Sequence, residues 1–162
     1  MKNRIPISLL VLILILSCNK KTQTLDFKTF TIEVPKNWIA IKEKGIDSYI
    51  GRIAIDNRDT LSFDLGWYSN DLKEEHPFGE DTVALEKRLK SKRSVEIVDN
   101  KKAVIIKPKK TGIGTTGIYI DSLWTAGSGI DKFQLNGHNL KPENERIFLD
   151  AIRTVKFHKK ND

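Results

Sequence analysis

The chain predicts a single α+β domain, and three observations carry that expectation. Short segments alternate apolar and polar residues between turn residues, as half-buried strands do. One segment near the C-terminus instead spaces its apolar residues like a helix. A single cysteine among 162 residues excludes an intrachain disulfide, so the fold must rest on its apolar core.

The first predicted strand follows Phe27. Phe30, Ile32 and Val34 take one side, Thr31 and Glu33 the other, and Pro35 stops the ladder. Pro35-Lys36-Asn37-Trp38 reads as a turn into a short strand at Ile39 to Ile41, and Gly45 and Gly51 bracket the segment Ile46 to Ile50. Arg52 to Asp56 and Thr60 to Tyr68 flank Asn57-Arg58-Asp59 as a hairpin. In its second strand Leu61, Phe63, Leu65 and Trp67 share an apolar face, while Ser62, Asp64, Gly66 and Tyr68 share a polar one.

Ser69 to Gly79 reads as a loop, and Asp81 or Thr82 caps a predicted helix that runs to about Lys90. Ser94 to Val98 and Ala103 to Lys107 form a second hairpin around Asp99-Asn100-Lys101. A Gly/Thr/Lys-rich loop follows, then strands at Ile118 to Leu123 and Lys132 to Leu135, separated by glycines 127 and 129. The closing helix starts with Pro142 and the acidic Glu143 and Glu145. Ile147, Phe148, Ala151, Ile152 and Val155 form its apolar stripe.

The N-terminus has the order of an export signal. Lys2 and Arg4 precede an uncharged stretch from Ile5 to Leu16, within which Leu9 to Leu16 is unbroken Leu, Val and Ile. As a helix, Ile5 to Ser17 would reach roughly 20 Å, short of the ~30 Å hydrocarbon core of a bilayer. Ile15-Leu16-Ser17-Cys18 then resembles the lipobox of bacterial lipoproteins. That resemblance implies diacylglyceryl transfer to the Cys18 sulfur, cleavage of residues 1–17 and a palmitate-type anchor. Two acyl chains suffice for stable attachment at about 0.8 kcal/mol per buried methylene. Residues 18–26 are then expected to be the lipidated cysteine and a polar tether, with one domain over 27–158. The expected location is the cell envelope. Asn19 lacks the aspartate associated with inner-membrane retention in enteric bacteria, which favours the outer membrane.

Formal charge is +7, of which Lys2 and Arg4 supply two. An exported chain has no access to nucleic acid, so the surplus reads as a solvated surface, with Lys20 and Lys21 placed to meet anionic headgroups.

No catalytic or metal-binding set emerges, and no cofactor is expected. Gly112-Ile113-Gly114-Thr115-Thr116-Gly117 matches G-x-G-x-x-G, but Ile118-Tyr119-Ile120-Asp121 continues it as a strand, where dinucleotide binding needs a helix. Lys107, Lys109 and Lys110 beside it remain placed to attract an anion. His76, His138 and His158 lie in separate segments, and Ser128 in Ala126-Gly127-Ser128-Gly129 lacks the spacing of a nucleophile elbow. The candidate partner-binding residues are Asp47 and Tyr49 in the glycine-bounded segment, with Asp64 and Tyr68 on the polar face of the clearest strand.

Two stretches, Phe30-Thr31-Ile32-Glu33-Val34-Pro35-Lys36-Asn37-Trp38 and Phe148-Leu149-Asp150-Ala151-Ile152-Arg153-Thr154-Val155-Lys156-Phe157, resemble the PsbP-like family. That resemblance implies an α/β/α sandwich, a central antiparallel sheet with helices on both faces, and action by binding partners without a shared catalytic centre. A non-catalytic binding or accessory lipoprotein is therefore the expected function. An envelope hydrolase with an unrecognised site and a carrier of a small apolar ligand are the alternatives.

Overall fold

The computed structural model describes residues 21–69, 71–75 and 91–158. Ten strands lie in these segments: β1 (Thr22–Asp26), β2 (Phe30–Pro35), β3 (Ile39–Lys42), β4 (Tyr49–Ala54), β5 (Thr60–Gly66), β6 (Ser91–Val98), β7 (Lys101–Pro108), β8 (Thr115–Ala126), β9 (Gly129–His138) and β10 (Lys156–Phe157). Two helices join them, α1 (Asp71–Glu75) and α2 (Pro142–Ile152). The sequence-predicted helix from Asp81 or Thr82 to Lys90 lies outside the described residues, as does the export segment.

Alternation becomes two antiparallel sheets. Seven strands form one, in the order β3-β4-β5-β9-β8-β7-β6, and β1-β2-β10 form the other. Phe30, Ile32 and Val34 of β2 face Leu61, Phe63 and Leu65 of β5, Ile118 and Ile120 of β8, and Phe133 and Leu135 of β9 in one buried cluster. Phe30 stacks on Phe27 with ring centroids 4.8 Å apart and meets Phe63 and Phe133 edge-on, each at 5.0 Å. α2 packs beside β2 and adds Phe148, Ala151 and Ile152 to the same core, followed by Val155 just beyond its end.

This architecture corrects the helix-flanked sandwich. The protein is mostly β, with two antiparallel sheets and, among the described residues, two helices of five and eleven residues. The main layer over the large sheet is a second sheet. Thr22–Asp26 reads in the sequence as polar tether and Lys156–Phe157 as the run-out of the last helix, yet both pair with β2. Lone strands of five and two residues carry too little periodicity to announce themselves; β2 supplies the backbone partners that make them strands. On the opposite face of the large sheet, Leu72 of α1 covers Val104, Ile106 and Tyr119.

Two turns follow their sequences closely. Asp99 and Asn100 have φ of 47° and 60°, the doubly positive pair that a two-residue turn between twisted strands demands. In the β4–β5 loop, the Asp56 carboxylate accepts the backbone amides of Arg58 and Asp59 at 2.8 and 2.9 Å. β8 carries an irregularity that the sequence does not signal: between Ile120 and Trp124 it takes four steps while β9 takes two, from Phe133 to Asp131. Asp121 and Ser122 consequently stand exposed while Leu123 returns to the core. No helix among the described residues is long and apolar enough to cross a membrane.

Candidate binding surface

The large sheet has two ends. At one end the chain enters: the Lys21 carbonyl accepts the Lys36 amide at 3.3 Å, and the Asn37 side chain donates to the Ile55 carbonyl at 3.3 Å. At the other end, three connections converge. These are residues 43–48 before β4, residues 67–69 after β5, and the turn at Gly127 and Ser128 between β8 and β9.

The convergence has a steric basis. Gly66 lets the Ser48 backbone and side chain approach β5, where a Cβ would lie 2.9 Å from the Ser48 Cβ. Gly129 does the same for Trp67, whose indole ring lies across it. The Lys132 ammonium donates to the Trp67 carbonyl at 2.9 Å, and Trp124 Nε1 donates to the Asp131 carboxylate at 2.9 Å. Glu43 is fixed by Arg52, whose Nε donates to its carboxylate at 2.7 Å.

Between these loops lies an open concavity of about 620 Å³, lined by Glu43, Ile46, Asp47, Tyr49, Trp67 and Asp131 among others. Its margin is unusually apolar for a surface. Ile46 is 98% exposed and Trp67 40%, and Tyr68, next to Trp67 in the same turn, is 71% exposed. Scattered single apolar residues are ordinary on protein surfaces; several on adjoining loops around one depression are not.

Of the four residues singled out in the sequence, this end gathers three. Asp47 lines the depression and is exposed, and Tyr68 stands in the turn beside Trp67. Tyr49 lines it too, but its ring packs on Phe63 at 5.4 Å, so it is as much core as surface. Burial and, secondarily, the Asp26 charge push its hydroxyl pKa up. Asp64 is elsewhere. Register places Tyr49 opposite Leu65 on the core face and Asp64 opposite Ile50 on the other, so the expected four-residue patch does not form.

Asp64 instead accepts the Ser69 hydroxyl at 2.7 Å and lines a separate depression of about 380 Å³ with Ser62, Gln134, Asn136 and His138. Its polar groups satisfy one another. Gln134 accepts the Leu72 amide at 2.8 Å, and His138 sits between the Thr115 hydroxyl at 3.0 Å and the Asn136 amide at 3.2 Å. A third depression, about 480 Å³ between α2 and the β6–β7 hairpin, is spanned by Arg153, which donates twice to Glu96 at 2.8 Å. That bidentate pairing raises the Arg153 pKa.

Among the described residues, no group of three or more His, Cys, Asp or Glu is placed to hold a metal ion. His76 lies outside the described residues; His158 sits at the far end of β10, its amide donating to the Thr29 carbonyl at 2.8 Å. The G-x-G-x-x-G string is split: Gly112 to Gly114 form a loop in which the two glycines adopt φ of 80° and 118°, and Thr115, Thr116 and Gly117 already belong to β8.

Ile46 is a site residue that the sequence reading misses. Its signal is an isoleucine between Gly45 and Asp47, since an apolar residue in a turn-rich segment has no core partner within its own strand. The sequence places Trp67 on the packing face, and it does follow that parity, but the sheet ends beneath it. Compared with known proteins, the chain matches no family model and no curated protein.

Proposed function

We propose that this chain is an envelope lipoprotein, anchored through acylated Cys18, whose folded domain is a non-catalytic module that binds a protein partner. The observation that carries the binding role is the exposed Ile46 and Trp67 lining an open depression, with the exposed Tyr68 adjoining Trp67. Tryptophan and tyrosine are the side chains that contribute most at protein interfaces, and an exposed apolar cluster loses unfavourable water contact when a partner covers it. The export-signal pattern and the Ile15-Leu16-Ser17-Cys18 stretch support the anchor.

Two measurements test the proposal separately. Cells grown with labelled palmitate should incorporate label into the wild-type protein and not into Cys18→Ala; an unlabelled wild-type product overturns the anchor. Native protein captured from solubilised envelopes should retain a reproducible partner that Ile46→Asp with Trp67→Ala releases and Asp150→Ala, on the exposed side of α2, does not. Capture that is indifferent to the rim substitutions overturns the binding role.

A further inference from the structure

We infer that the chain-entry end of the domain is a docking face for an anionic bilayer, holding the aromatic rim away from the membrane. The inference rests on the proposed acylation of Cys18. From Cys18 to Lys21 there are three steps of chain, which span at most about 11 Å when extended. Lys21 is already tied down, its carbonyl accepting the Lys36 amide, while the adjoining Gln23 side chain region is held by bonds to the carbonyls of Pro35, Lys36 and Trp38. The fold therefore begins almost at the lipid, and this end must lie against the headgroups.

Hydrogen bonds make the end one connected surface. Asn37 reaches the Ile55 carbonyl, and Asp59 accepts the Lys141 amide at 2.7 Å. Asn139 in turn exchanges bonds with Gly114: its amide donates to the Gly114 carbonyl at 2.9 Å, and its side-chain oxygen accepts the Gly114 amide at 2.8 Å. The glycine-lysine loop, which no enzymatic role absorbs, is thereby fixed to the same end as the tether.

Its chemistry suits lipid headgroups. Lys21, Lys36, Arg58, Lys109, Lys110 and Lys141 lie at this end, against Asp56, Asp59, Glu143 and Glu145. Asp59 and Glu145 are turned inward, 3% and 2% exposed, with Glu145 accepting the Gly112 amide at 2.8 Å; Asp56 is exposed and pairs with the Lys141 ammonium at 2.9 Å, so the exposed Lys21, Lys36 and Lys110 carry the positive surface. Ile113, 44% exposed at the tip of the glycine loop, supplies an apolar side chain that can enter the interfacial zone.

The test uses the full acylated protein in phosphatidylcholine vesicles, with or without phosphatidylglycerol. Acylation consumes the one native thiol, so Ile113→Cys and Ile46→Cys each introduce a single site for a fluorescent label. On anionic vesicles, acrylamide quenching should fall several-fold for the label at 113 and stay unchanged at 46. Lys36→Gln and Lys110→Gln should each shift the docking equilibrium about fivefold away from the bilayer, the effect of one basic residue near an anionic surface, and so reduce the protection at 113; salt should do likewise. Equal quenching at 113 and 46 on acylated protein overturns the docking face and leaves the anchor standing. An intact mass without the acyl chains overturns the anchor, and the docking face with it.

Discussion

The indole of Trp67 lies across the backbone of Gly129 so closely that a β-carbon there would overlap the ring. This contact joins the β5 exit to the β8–β9 hairpin and holds the most prominent aromatic of the candidate rim. Gly129→Ala should therefore displace Trp67, at a cost of about 1–3 kcal/mol for the forced repacking. The check is a denaturant midpoint together with a change in tryptophan emission. Trp38 is buried and Trp124 is held by Asp131, so the change should disappear in a Trp67→Phe background.

Phe30 is the centre of the aromatic core, fully buried and in ring contact with Phe27, Phe63 and Phe133. Phe30→Ala should destabilise the domain by about 3–5 kcal/mol. Tyr68→Ala removes a mostly exposed ring and should shift stability by no more than about 0.5 kcal/mol while weakening partner capture. Equilibrium unfolding of both variants separates the structural aromatic from the binding one.

Asp59 starts α2 from a distance. Lys141, at the helix N-cap, makes no capping bond with its own side chain, and the buried Asp59 carboxylate accepts its amide and the Asn144 side chain, each at 2.7 Å. Asp59→Ala leaves the Lys141 amide without its acceptor, while Asn144 keeps its bond to Asp56 at 3.0 Å, and should cost about 1–2 kcal/mol. Asp59→Asn keeps one oxygen and should recover part of that loss in the same urea titration.

Acid should loosen both ends of the domain. The Lys141 ammonium, followed by the amides of Asp59 and Arg58, holds the Asp56 pKa far below its ordinary value. The Phe157 amide and then the Lys156 ammonium lower that of Asp99, outweighing the effect of its partial burial. A carboxylate whose folded pKa is depressed stabilises the protein above its unfolded pKa, near 3.8, and loses that contribution as pH falls toward the folded value. Stability should be flat for these groups above about pH 5 and decline below about pH 4. Asp56→Asn and Asp99→Asn should each flatten the decline in a thermal-unfolding series across pH, and a wild-type slope in both would remove the two carboxylates from the account.

Residues 30–35 and 61–65 show what alternation alone determines. Phe30, Ile32 and Val34, like Leu61, Phe63 and Leu65, are buried in the structure as their two-residue period requires. The apolar stripe of α2 and the Asp99-Asn100 turn were legible for the same reason, since their signals are local in the chain. Other features depend on partners distant in sequence. β1 and β10 exist as strands because β2 lies between them. Asp64 is separated from Tyr49 because the register of β4 against β5 sends neighbouring residues to opposite faces. Ile46 and Trp67 line one depression only because the connection before β4 and the exit of β5 end together. A side chain's direction along one strand is a property of the chain, whereas its neighbours across the sheet are set by backbone pairing, and that pairing decided both the second sheet and the composition of the rim.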